Sequence, residues 1–288
     1  MKRVLACFVL FGFLIMACQP AIADQTDVVS LGADLSEAHK EQMLDFFGVS
    51  EDDVLILTVT NDEEREYLKG LVPEKQIGTR AISSAYVKLA PKNSGIDVKT
   101  HNISWVTDEM YANAMITAGI EDAEVVAAAP FKVSGTAALT GIMKAFEKAK
   151  GRKLSPQAKK TANEELVLTG ELGDKIGKDN AAKLIQDIKQ DVVKQKIKSP
   201  DDIRELIKKI AAKNDIELTE EQINKILKLM ENISKLDLNL AKINQQLEKI
   251  NLNLDKVKET VEENKGLIQK VLDTINSLFA WLRSIFSA

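Results

Sequence analysis

From Ile226 to Ile285 an apolar residue recurs at alternating steps of three and four. The stripe runs through Ile226, Leu229, Ile233, Leu236, Leu240, Ile243 and Leu247, and continues through Ile250, Leu254, Val257 and Val261 to Leu282 and Ile285. On a helix these positions form one seam, sustained for about eight heptads where three or four suffice for a coiled coil. Asn264 is its one polar member, and a single buried Asn on a seam fixes register or oligomer number. The pattern predicts a long coiled-coil-like helix over 226–288, with its seam buried on a second copy, on a partner helix or back on its own chain. From Gly266 onward the apolar face widens. Leu272, Phe279 and Phe286 add a second row, Trp281 stands at its edge, and Lys265, Lys270 and Arg283 outweigh Asp273. The last 20 residues therefore suit either contact with a membrane surface or the end of a helical bundle.

The other end of the chain constrains compartment. Lys2 and Arg3 precede an apolar run from Val4 to Ala17, then Gln19-Pro20 and Ala21-Ile22-Ala23. This is a signal-peptide pattern over residues 1–23. The run falls short of the roughly 20 residues of a membrane-spanning helix. Ala21 and Ala23 mark the expected cleavage, with lipid attachment at Cys18 as the alternative. The expected location is secreted, or on the extracellular face of the cell envelope. Both cysteines, Cys7 and Cys18, fall within the leader. A chain beginning at Asp24 would have no disulfide, no thiolate nucleophile and no Cys-ligated metal. His39 and His101 are the only histidines, with no metal-ligand spacing around them. No metal or cofactor is expected.

Formal net charge is −4, unevenly spread. Residues 24–150 carry −9 and residues 151–288 carry +3, a shift that places a boundary near Gly151. No stretch concentrates Lys and Arg as nucleic-acid binding requires.

Residues 24–150 alternate strand and helix patterns. Strands are expected at Val28–Leu31, Val54–Val59, Ala81–Leu89, Ile96–Ser104 and Ala123–Ala129. Helices are expected after Ser36, Asn61, Thr107 and Ser134, each a capping type or position. The unbroken β-branched run Val54–Val59 reads as a central strand, and Pro91–Gly95 reads as a hairpin loop. Residues 151–225 read as a small helical domain, with starts at Ser155-Pro156, Asp179-Asn180, Ser199-Pro200 and Thr219, and with Gly170, Gly173 and Gly177 as breaks. The fold class is α+β: an N-terminal mixed α/β-sheet module, a small helical domain and the long C-terminal helix.

Several strings carry a further likeness. They are Leu31-Gly-Ala-Asp-Leu-Ser36, Ile77-Gly-Thr-Arg-Ala-Ile-Ser-Ser84, Thr100-His-Asn-Ile-Ser104 with Thr107-Asp-Glu-Met-Tyr111, the run from Ala129 to Gly141, and Glu171-Leu-Gly-Asp-Lys-Ile-Gly177. Over about Val28 to Leu184 the chain resembles the YpuA-like secreted proteins of Gram-positive, Bacillus-type bacteria. That family is defined as a domain of unknown function, so the likeness implies export and brings no catalytic residue.

In open α/β sheets ligands bind beyond the carboxyl ends of the strands. Gly32 and Asp34 follow the first strand, Asn61 and Asp62 the second, and Ser134, Gly135 and Thr136 the last. These seven are the candidate ligand-binding residues. Gly135 to Gly141 is no phosphate loop, because no Gly-Lys-Ser/Thr follows and Lys144 is misplaced. No Gly-x-Ser-x-Gly elbow exists, and no catalytic residue is assigned. The expected function is an exported, envelope-associated binding or scaffold protein without enzymatic activity. The alternative is an extracellular hydrolase with its site at the strand ends.

Overall fold

The computed structural model describes residues 27–69, 79–236 and 245–247. The leader, most of the C-terminal seam and the aromatic-rich last 20 residues lie outside the described residues. Among the described residues five strands and eight helices with full ranges follow in chain order. They are β1 (Val28–Gly32), α1 (Glu37–Phe47), β2 (Leu55–Val59), α2 (Asn61–Leu68), β3 (Ser84–Leu89), β4 (Ile96–Ile103), α3 (Asp108–Ala118), β5 (Ala123–Val133), α4 (Thr136–Lys150), α5 (Pro156–Ile176), α6 (Lys178–Gln195), α7 (Pro200–Lys213) and α8 (Glu220–Ser234).

The helix starts obey local chemistry. Ser36, Thr107, Ser155, Ser199 and Thr219 each accept a backbone N–H two or three residues into the helix they precede, as N-caps should. The second helix is capped by Thr60, not Asn61. Thr60 and Glu63 form a reciprocal capping box, leaving Asn61 as the first helical residue.

The sheet order is β2-β1-β3-β5-β4. β1 pairs parallel with β2, and β4 pairs parallel with β5. β3 is antiparallel to both β1 and β5. Two expectations are corrected here. The apolar run around β2 marks an edge strand. Leu55 and Leu57 pack on the large core and Ile56 on a smaller one, so both faces meet apolar neighbours while the open edge leaves the strand half-buried. Nor do β3 and β4 form a hairpin, because β5 lies between them. The 90–95 loop instead crosses over the start of β5, and Asp122 holds it there. The Asp122 carbonyl accepts the Ala90 N–H at 2.7 Å, and its carboxylate accepts the Gly95 N–H at 2.9 Å.

One face of the sheet is covered by α3 and α4, with α5 to α8 packed beyond them; α1 covers the other. One apolar cluster runs from Val28 of β1 through Tyr111, Phe146, Leu166 and Ile188 to Ile233 and Leu247. Gly170 and Gly173 do not break a helix; they lie inside α5, which Gly177 caps. α6 accordingly starts at Lys178, just ahead of the Asp179-Asn180 expected. Most of the helix expected over 226–288 lies outside the described residues, and α8, which carries the first seam positions, ends at Ser234. Short i→i+3 bonds from Lys235 and Leu236 close its last turn, a common way for a helix to stop.

Candidate functional site

β1, β2, β4 and β5 run the same way and deliver their carboxyl ends to one edge of the sheet. At that edge β5 passes through Ser134 and Gly135 into α4. Gly135 has φ 99°, and a Cβ there would stand 2.4 Å from Ile103 and 2.6 Å from the Tyr111 hydroxyl. Only glycine satisfies both the backbone and the space. Beneath it the fully buried Tyr111 donates its hydroxyl to the Gly135 carbonyl. Burial raises the Tyr111 pKa, and the carboxylates of Glu64 and Asp108 add to the effect.

Glu64 lies three residues after Asn61 and four before the buried Leu68, on the inward face of α2. It is only 1% exposed. Its Oε1 accepts the Thr136 hydroxyl at 2.7 Å, and its Oε2 accepts the Asn61 amide at 3.5 Å. Desolvation lifts its pKa from 4.5 to about 7, against the opposing pull of Thr136, Asn61 and Arg65. The carboxylate thus stands at the first residue of α4, the place where a helix start favours an anion. Lys144, two turns further along α4, is engaged elsewhere. It donates to the Thr58 carbonyl at 2.7 Å and to Glu63 at 2.5 Å.

In front of this buried pair opens a cleft of about 470 Å³ lined by Ser104, Trp105, Lys132, Val133, Ser134, Thr136 and Asp174. Trp105 is fixed on two sides. Its indole N–H donates to the Asp174 carboxylate at 3.2 and 3.3 Å. Its ring lies against Gly170, where a Cβ would come within 2.3 Å of a ring carbon. This close approach explains a glycine in mid-helix, a position that otherwise costs about 1 kcal/mol relative to Ala. The Ser104 hydroxyl donates to the Val133 carbonyl at 2.8 Å, and Lys178 donates to the Ser104 carbonyl. The Ser134 and Thr136 hydroxyl oxygens are 3.4 Å apart. Lys132 is exposed at the rim.

The seven candidate residues separate into three groups. Ser134 and Thr136 line the cleft, with Gly135 buried under it. Asn61 supports Glu64 from behind, while Asp62 is exposed on the first turn of α2. Gly32 and Asp34 serve the backbone: a Cβ on Gly32 would lie 2.3 Å from the Ala81 carbonyl oxygen, and the Asp34 carboxylate accepts the Ala81 N–H at 2.7 Å. Sequence reasoning passed over Glu64, Trp105, Lys132 and Asp174. Glu64 was legible as the one acid of its turn in helical phase with Leu68. Trp105 and Asp174 are 69 residues apart, and nothing local announces their meeting. Among the described residues no group of three or more His, Cys, Asp or Glu is placed to hold a metal ion.

The comparisons agree on kinship and are silent on activity. The model of a family described as "Protein of unknown function (DUF1002)" matches residues 31–250. The chain is similar to "Uncharacterized protein YpuA" of Bacillus subtilis (strain 168), at 46% identity over 226 residues, covering 76% of this chain and 77% of the relative. No solved structure gives a significant match.

Proposed function

This chain belongs to the DUF1002 family of proteins of unknown function, and we propose that it is an exported, envelope-associated protein that binds a ligand in the Trp105 cleft without transforming it. One observation carries the reading. The carboxylate poised near neutrality, Glu64, is sealed behind Thr136 and is not part of the cleft wall. A general base must come within about 3 Å of the proton it takes, or reach it through one water. The wall itself offers hydroxyls, an indole, one ammonium and one carboxylate, which are recognition groups. The leader pattern Lys2–Ala23 and the lack of cysteine from Asp24 onward support export. The heptad pattern beyond Leu247 supports self-association or a partner helix, with the aromatic face around Trp281 held to the membrane surface.

The experiment is co-sedimentation of the chain from Asp24 onward with isolated envelopes of the producing bacterium. Saturable binding is expected, about tenfold weaker in Lys132→Ala with Ser134→Ala, with no soluble fragments released on long incubation. Release of fragments that stops in Glu64→Gln would replace this reading with a hydrolase.

A further inference from the structure

We infer that the cleft is a subsite for a neutral pyranose ring, so that the envelope ligand is a glycan. This rests on the binding reading above and adds the chemistry of the ligand. A volume of about 470 Å³ lies within the roughly 300–1,000 Å³ of small-molecule sites. The hydrogen-bonding state of the wall narrows the class. The Ser104 hydroxyl spends its proton on the Val133 carbonyl, and Thr136 spends its proton on Glu64. Both then face a ligand with lone pairs. The Asp174 carboxylate adds further acceptors beyond those given to the indole N–H. Against these stands the Lys132 ammonium as donor, while the Ser134 hydroxyl, 3.4 Å from Thr136, turns its proton there and adds lone pairs. An acceptor-rich wall calls for a ligand rich in O–H donors. One cation and one carboxylate in the lining leave no net charge to attract an anion. The engaged indole and Val133 supply an apolar surface, and an aromatic face attracts the polarised C–H bonds of a ring lying on it. A pyranose combines hydroxyl donors around its rim with an apolar C–H face. A phosphate has no donors to spare and meets Asp174.

The test uses Trp105 as its own reporter. Trp105 and Trp281 are the only tryptophans, so Trp281→Phe leaves one indole. Chitotetraose and cellotetraose are titrated separately into that protein while its emission is followed. A saturable shift with at least one of them is expected. Loss of one or two hydrogen bonds in Lys132→Ala or Ser134→Ala should weaken it about fivefold or more, with melting unchanged because both side chains are exposed. If neither sugar shifts the emission while envelope binding still depends on Lys132 and Ser134, the glycan assignment falls and the cleft keeps its binding role. If envelope binding is also indifferent to both substitutions, the binding reading falls with it.

Discussion

At the scale of single residues, Glu64 carries the most consequence. Its carboxyl has an ordinary pKa of 4.5 and a folded value of about 7. The folded state therefore holds a proton that the unfolded chain releases between those values, and stability falls as pH rises across that window. The contribution is fully present below about pH 4.5 and is lost above about 7. A shift of this size in a group that is 1% exposed corresponds to about 3 kcal/mol. Glu64→Gln keeps an acceptor for Thr136 and removes the titration. Urea unfolding at pH 5 and pH 8 should therefore show a larger drop in the natural protein than in the variant, by up to about 3 kcal/mol; parallel pH profiles would contradict the assignment. The same proton reaches the cleft. With Glu64 ionised, Thr136 must donate inward and offers lone pairs outward. With Glu64 protonated, the bond can reverse and free the Thr136 proton. A donor-rich ligand is therefore expected to bind better above pH 7.

At the scale of elements, the helices α3, α5 and α6 are joined by a buried polar knot. Lys189 on α6 is 1% exposed and donates to Glu165 on α5 at 2.6 Å, to the Asn113 carbonyl at 2.8 Å and to the Thr117 hydroxyl at 3.2 Å, the last two on α3. Thr117 in turn donates to Glu165. Burial lowers the Lys189 pKa, and Glu165 opposes that shift. Removing one partner of such a pair leaves an uncompensated buried charge, whereas replacing both with apolar side chains is often tolerated. Lys189→Met should cost about 3 kcal/mol or more, and Lys189→Met with Glu165→Leu should recover most of that, as read from urea midpoints. Equal losses in the two variants would show that the knot stabilises the fold outright. None of this was legible in the sequence, where Lys189 and Glu165 look like ordinary charges on amphipathic helices. The helix starts capped by Ser36, Thr107, Ser155, Ser199 and Thr219 were legible, because such a cap is made by residues three apart. The strand segments were legible too, from β-branched runs such as Val54–Val59. Their order in the sheet was not. Pro91–Gly95 suits a hairpin and a crossover equally, and the bond that decides between them comes from Asp122, 27 residues on from Gly95.

At the scale of the molecule, the first positions of the heptad seam are spent within the chain. Ile226, Leu229, Ile233 and Leu247 are all buried in the main apolar cluster, and the Leu247 carbonyl accepts the Gln186 amide at 2.9 Å. Self-association through the seam, as proposed above, is tested at the positions beyond Leu247. Deleting residues 248–288 should leave the melting temperature of the folded body unchanged and convert an oligomer to a monomer in light scattering. A full-length protein that is monomeric at high concentration would contradict that proposal. The seven candidate site residues followed from one general rule about strand ends. The rule located the edge, with Ser134 and Thr136 on the cleft, but the opposite wall comes from α5, which the rule does not see. The composite cleft built from β4, β5 and α5 is the proposed ligand site. Its most direct test is a two-dimensional amide and indole NMR spectrum of the protein with and without a soluble digest of envelope material. The predicted result is a set of saturable shifts at the Trp105 indole N–H and the backbone amides of Ser104, Lys132, Ser134, Thr136 and Asp174. Shifts confined to other surfaces, or none at saturating digest, would contradict it.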